Sequence, residues 1–161
     1  AALHTHVAGR RLDADGSVLL RMDNGARGVL YASQISAGEE NNLKIRVYGE
    51  RGGLEWAQME PNSLIVRWLD KPMQVYRTGV GPLYPEAQIH TRIPAGHPEG
   101  YLEAFANIYN DVADSILAYE QGVAPDPLST WYPNVDDGVL GVRFVDAAVA
   151  SHGAGGQWVR V

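Results

Sequence analysis

The segment from Gly96 to Tyr119, GHPEGYLEAFANIYNDVADSILAY, constrains the fold of this chain more than any other stretch. Tyr101, Phe105, Ile108, Val112, Ile116 and Tyr119 recur at steps of three and four residues. That period places them in one stripe along a helix. Leu102, Tyr109 and Ala113 widen the stripe. Glu103, Asn107, Asn110, Asp111 and Asp114 fall mostly outside it and are expected in water. Pro98 suits a first helical turn, where a missing N–H is no loss, so the helix is expected to open there with His97 near its N-cap. Gly122 and the Pro125/Pro127 pair end it. A stripe this long needs a broad apolar surface to lie on, and the residues before it must supply that surface.

Residues 1–76 alternate with period two, the mark of strands. Leu3, Thr5 and Val7 alternate with His4 and His6. Val18, Leu20 and Met22 alternate with Ser17, Leu19 and Arg21. Asn24-Gly25 predicts a tight type I′ hairpin, because both residues accept a positive φ. The return strand runs from Arg27 to Ile35, and Leu19 and Leu30 are expected on its second, partly apolar face. Such a face suggests a subunit contact. Leu43 to Tyr48, Leu54 with Trp56, Ser63 to Leu69 and Gln74 to Tyr76 read as further strands. Gly49 to Gly53 and Asp70-Lys71-Pro72 read as turns. Residues 78–96 have no period and hold several glycines and prolines, which predicts a long loop. A second helix follows Pro133. Asn134 and Asp137 have capping-box spacing, and Val135, Val139, Val142, Val145 and Val149 form its apolar stripe. Gln157-Trp158-Val159 reads as an edge strand or a packed tail. Strands followed by helices predict an α+β domain spanning 1–161: an open, mainly antiparallel β-sheet with two long helices packed on one face and the other face available for oligomerisation.

Composition narrows the function. Net charge is −6, and the 13 Lys and Arg are scattered, so no nucleic-acid footprint is present. The chain has no cysteine, which excludes disulfides, thiolate metal sites and cysteine nucleophiles, and fits a cytoplasmic location. No apolar run approaches the roughly 20 residues of a membrane span, and no signal peptide opens the chain. The start, AALHTHV, lies in strand-like sequence without Met and reads as a piece of a longer protein. No glycine fingerprint sits at a strand-to-helix turn, and Gly49-x-x-Gly52-Gly53 lies between strands. His4 and His6 share a strand face without a third ligand, so they read as surface histidines. Glu86 and His90 have helical spacing in a proline-crowded loop and do not read as a metal pair. His97, placed at a helix start, can cap the helix or bind a hydroxyl or carboxylate. Gln34, Glu39, Glu40 and Asn41, at a strand end and its loop, suit sugar hydroxyls or an ordinary turn.

Three stretches carry a resemblance. They are GARGVLYASQ (25–34), NLKIRVYGERGGLEW (42–56) and GHPEGYLEAFANIYNDVADSI (96–116). Together they resemble the C-terminal domain of the glucose–fructose oxidoreductase / inositol dehydrogenase (Gfo/Idh/MocA) family, over nearly the whole chain. The resemblance implies a two-domain enzyme. An N-terminal Rossmann domain, absent here, would bind NAD or NADP. The present domain would close the site for a sugar, inositol or related polyol and would build a homo-oligomer. The family's Glu-Lys-Pro lysine and Asp-x-x-x-His pair have no counterpart: Asp70-Lys71-Pro72 lies between two strands, and no Asp precedes a His by four. The isolated chain is therefore expected to bind no cofactor and to lack catalysis. His97, Gln34, Glu39 and Asn41 are the expected substrate contacts. They rest on their chemistry and not on a family motif. The competing expectations are a non-catalytic scaffold dimerising through its sheet and a free-standing carbohydrate-binding module.

Overall fold

The computed structural model describes residues 1–161. Seven strands form: β1 (Ala2–His4), β2 (Asp15–Arg21), β3 (Arg27–Ser33), β4 (Lys44–Tyr48), β5 (Gly52–Ala57), β6 (Ser63–Trp68) and β7 (Gln74–Arg77). The helices are α1 (Pro85–Ile89), α2 (Tyr101–Glu120) and α3 (Val135–Gly153), with one 3-10 turn at Pro127–Ser129. The class is α+β. The strands divide between two open antiparallel sheets, in the orders β1-β2-β3 and β4-β5-β6-β7. The chain forms two compact units, Ala1–Glu40 with Pro133–Val161, and Asn41–Tyr132. No helix is long and apolar enough to cross a membrane.

In the first unit the hairpin register pairs Val18 with Leu30 and Leu19 with Val29. Val18 is 9% exposed, whereas Leu19, Val29 and Tyr31 are open on the opposite face. The outward apolar face expected from the sequence is present, but Leu30 lies with Val18 and not with Leu19. The hairpin turn also differs from the type I′ expectation. Met22 and Ala26 pair through the Met22 N–H, and Gly25 alone turns left-handed at φ 88°. The Asn24 side chain accepts from the Ala26 N–H instead of Asn24 itself adopting positive φ. The result is a three-residue loop of the type I plus bulge kind.

Helix α3 starts where its capping box predicts. Asn134 Oδ1 accepts from the N–H groups of Asp136 and Asp137, and the Asp137 carboxylate accepts from the Asn134 N–H at 2.9 Å. Its far end is tied to β1: the Ala1 amino group donates to Ser151 Oγ at 2.6 Å, and Leu3 N–H donates to His152 Nδ1. The covered side of α3 is Phe144, Ala147, Ala148 and Ser151. The valine stripe lies about half a turn away and is exposed, Val135 to 78%. The helix is thus apolar on two sides, and the small-residue side is the one the chain covers. The C-terminal segment is an exposed, irregular tail and not a strand, held by two contacts: Arg21 lies 3.9 Å over the Trp158 ring, and Ser151 Oγ donates to the Gln157 carbonyl.

In the second unit, the register of β4 to β7 sorts the side chains onto two faces, with Ile65 and Val75 on the Glu55 side. One face carries Glu55, whose carboxylate meets Arg67 at 2.6 Å and Arg46 at 3.2 Å. The other carries Ile45, Val47, Leu54, Trp56, Leu64 and Val66, with Val66 at its buried centre. Helix α2 departs from the sequence expectation in which side it turns inward. Asp111 is buried and Glu103 and Asn107 are half-buried, while Tyr101, Phe105, Ile108, Ile116 and Tyr119 are exposed. Asn107 and Asp111 turn inward because they meet Arg92 and His90 in the preceding loop, and Ala106, Val112, Ser115 and Ala118 complete the covered side.

Candidate functional site

That loop, between β7 and α2, was expected to be irregular throughout. Tyr84 stays extended ahead of Pro85, as a residue before proline must, and Pro85 opens the one-turn helix α1. At its end, His90 Nδ1 donates to the Glu86 carbonyl at 2.7 Å, and His90 Nε2 meets Asp111 Oδ2 on α2 at 3.0 Å. The helical Glu86–His90 spacing is real, but the bond is to the Glu86 backbone and not to its carboxylate. Both nitrogens of the ring are engaged within the fold, so His90 fastens α1 to α2 and has no free nitrogen for a ligand.

Beyond His90 the loop is held from several sides. Asn107 on α2 donates to the His90 carbonyl and accepts from Arg92 Nε at 2.6 Å. Glu99 Oε1 accepts from the N–H groups of Arg92 and Ile93, each at 2.7 Å. The backbone of Glu99 is gripped by the Asn62 side chain, which donates to the Glu99 carbonyl at 2.8 Å and accepts from the Glu99 N–H at 3.0 Å. The helix proper then begins at Tyr101, with Gly100 as N-cap. The Glu103 carboxylate accepts from the Gly100 N–H at 2.8 Å. This bond holds the Glu103 carboxyl below the usual range.

His97 therefore does not lie at the N-cap. It ends a turn in which the Pro94 carbonyl accepts from both the His97 N–H and His97 Nδ1, at 3.2 and 3.1 Å. Gly96 supplies the left-handed residue that the turn requires, at φ 88°. A carbonyl oxygen only accepts, so Nδ1 carries the proton and Nε2 points its lone pair outward from an exposed ring. That is a fixed, accessible acceptor.

The other expected site residues lie elsewhere in the chain. Gln34 directly follows β3, exposed, with its N–H bonded to the Ala14 carbonyl. Glu39 is exposed in the same unit, in a turn closed on the Ser36 carbonyl. Asn41 opens the second unit, where its carbonyl accepts from the Gln58 side chain and from the Leu43 N–H. Within that unit Asn41 and His97 share no hydrogen bond. Asn62 and Glu99 were not singled out in the sequence, and Asn107, expected in water, is instead half-buried against the loop. Asn62 and Glu99 are 37 residues apart, and neither belongs to a periodic pattern that would announce the pairing.

Two hollows accompany these features. In the second unit a polar cavity of about 170 Å³ is lined by His90, Asn107, Asn110, Asp111, Asp114 and Asp126. In the first, an apolar groove of about 1030 Å³ runs between Leu20, Met22, Leu140, Phe144 and Trp158. The groove is lined mainly by apolar side chains, with Arg21, Asp23, Asp137 and Arg160 also on its wall. No group of three or more His, Asp or Glu side chains could hold a metal ion.

The glycine cluster of this chain does not form a dinucleotide loop. Gly49, Gly52 and Gly53 belong to the β4–β5 hairpin, and a Cβ on Gly52 would run into the Arg67 carbonyl of β6. Glycine is required there for strand-to-strand approach, and the hairpin offers no helix N-terminus to a pyrophosphate.

Comparison with known proteins gives consistent results. Residues 1–55 match the model of the GFO/IDH/MocA C-terminal domain. The uncharacterized oxidoreductase YfiI of Bacillus subtilis is 32% identical over 148 residues, covering 92% of this chain and 38% of that protein. An oxidoreductase from Sinorhizobium meliloti superposes with a TM-score of 0.92 at 44% identity, over 99% of this chain and 44% of its own. An inositol dehydrogenase homolog from Azotobacter vinelandii, complexed with NADH and myo-inositol, superposes with a TM-score of 0.90 at 36% identity. It covers 99% of this chain, which spans 42% of that relative's length.

Proposed function

The chain belongs to the GFO/IDH/MocA oxidoreductase family through its C-terminal domain, and on that premise we propose that it contacts substrate and subunits in a two-domain enzyme. The reaction is oxidation or reduction at a CH–OH group of a sugar, inositol or related polyol, with NAD or NADP as redox partner. The observation that carries this reading is the likeness, over 99% of the chain, to an inositol dehydrogenase homolog complexed with NADH and myo-inositol. The dinucleotide belongs to an N-terminal Rossmann domain, since the glycines here serve a hairpin. Polyol hydroxyls donate and accept, so they suit the outward Nε2 of His97 and the amide and carboxylate groups of Gln34, Glu39 and Asn41. The exposed face of Ile45, Val47 and Leu54 serves a homo-oligomer in the cytoplasm.

The test is turnover by the full-length protein across a panel of inositols and sugars with NAD or NADP. His97→Ala is expected to raise KM or lower kcat roughly tenfold. Absence of turnover with every polyol and sugar, or micromolar binding of NADH to the 161-residue chain alone, overturns the proposal. The exposed stripes of α2 and α3 favour a second reading, a non-catalytic scaffold that docks partners. Turnover by the full-length protein removes it.

A further inference from the structure

We propose that Asn62 and Glu99 are positioning residues that fix the orientation and tautomer of His97; the inference rests on the reading of His97 as a substrate contact. His97 is exposed, and its ring has one hydrogen bond, to the Pro94 carbonyl. Packing does not restrain it, so the ring points wherever that carbonyl is held. The carbonyl is placed by what surrounds it. The Ile93 N–H, one residue before Pro94, is bound to Glu99 Oε1, as is the Arg92 N–H. Glu99 lies two residues after His97, so its carboxylate closes the segment from Arg92 to Glu99 into a ring with His97 near its end. The ring is anchored to the second sheet by Asn62, which uses both halves of its amide on the Glu99 backbone and whose own carbonyl accepts from Thr78 N–H at 3.1 Å. Asn62 immediately precedes β6, a rigid support of the kind a positioned side chain requires. The sheet thus holds Glu99, Glu99 holds the backbone just before Pro94, and Pro94 holds Nδ1–H.

Histidine-selective 15N NMR on the full-length protein, with amide exchange at Arg92 and Ile93, tests the chain of contacts without a substrate. Wild-type His97 should read as the Nδ1–H tautomer. In Glu99→Ala that signature should be lost, and exchange at Arg92 and Ile93 should speed up about tenfold, the loss of one charge-assisted hydrogen bond. Glu99→Gln keeps an oxygen acceptor and should restore both. Asn62→Asp removes the donor to the Glu99 carbonyl and should loosen the same signals; it serves where Glu99→Ala does not fold. Unchanged tautomer and exchange in Glu99→Ala and Asn62→Asp overturn the inference, as does a Glu99→Gln that behaves like Glu99→Ala. Kinetics with myo-inositol separate the two readings. If His97→Ala raises KM and Glu99→Ala leaves both KM and the tautomer alone, only the positioning role fails. If His97→Ala leaves KM unchanged, the substrate contact fails, and the NMR result still decides the positioning.

Discussion

Glu103 fixes where α2 begins, and its ionisation makes that choice depend on pH. Gly100 has no side chain to cap the helix, so the capping bond runs only from the Gly100 N–H to the Glu103 carboxylate. That bond lowers the Glu103 pKa in the folded chain. In the unfolded chain the carboxyl titrates near the ordinary value of about 4.3, so between the two values the unfolded state binds more protons. The stability it contributes is full above that ordinary value and is lost as pH falls through the lowered folded one. Thermal melts from neutral to acidic pH should show wild type more stable than Glu103→Gln at neutral pH, with the difference shrinking below about pH 4. A constant difference would remove the carboxylate from the account. The Asp111–His90 contact makes a second residue-level prediction. Asp111 is 7% exposed, and removing it leaves a His90 nitrogen facing nothing. Asp111→Ala should destabilise by about 2 kcal/mol in denaturant unfolding, and Asp111→Asn, which keeps an oxygen acceptor, by less than half of that.

At the scale of elements, the two long helices were plain in the sequence but the sides they turn inward were not. Periodicity reports that a helix has an apolar stripe; it does not report which neighbour covers it. On α3 the chain covers the small-residue side, Phe144 with Ala147 and Ala148, and leaves the valines bare. Phe144→Ala should therefore cost about 2 kcal/mol, less than a fully buried Phe because the ring is half-buried, while Val145→Lys should stay within about 0.5 kcal/mol in this chain. Equal losses would place the valine stripe against the first unit's own sheet. On α2 Asn107 and Asp111 turn inward because they meet His90 and Arg92, partners that lie far back in the chain and follow no period. Helix α1 was missed because one turn is too short to repeat anything. The capping box at Asn134 and Asp137, by contrast, is a local pattern, and its bonds form as the spacing predicts. The candidate site follows the same division. His97 was legible as a polar residue beside a helix start, but its turn, its tautomer and its Glu99–Asn62 support come from long-range hydrogen bonds.

For the molecule as a whole, the apolar faces that remain open set its behaviour. Leu19, Val29 and Tyr31 on the first sheet, Ile45, Val47 and Leu54 on the second, the valines of α3 and the aromatic stripe of α2 are all exposed. Single exposed apolar residues are ordinary, but contiguous faces of this kind mark contact surfaces. The relatives extend well beyond this chain, which spans 38% to 44% of their lengths, and the proposed enzyme supplies covers of two sorts, a second domain and second subunits. The 161-residue chain by itself should consequently self-associate and bind a hydrophobic dye, whereas the full-length protein should bind little dye. Charged substitutions should then sort the faces. Val29→Lys or Val47→Glu should lower the oligomeric state of the full-length protein in light scattering if a sheet face joins subunits. Val142→Lys should leave the oligomer intact and lower the melting temperature of the full-length protein if α3 meets the second domain. An oligomer unaffected by either sheet substitution would move the subunit contact off the sheets and onto the helices.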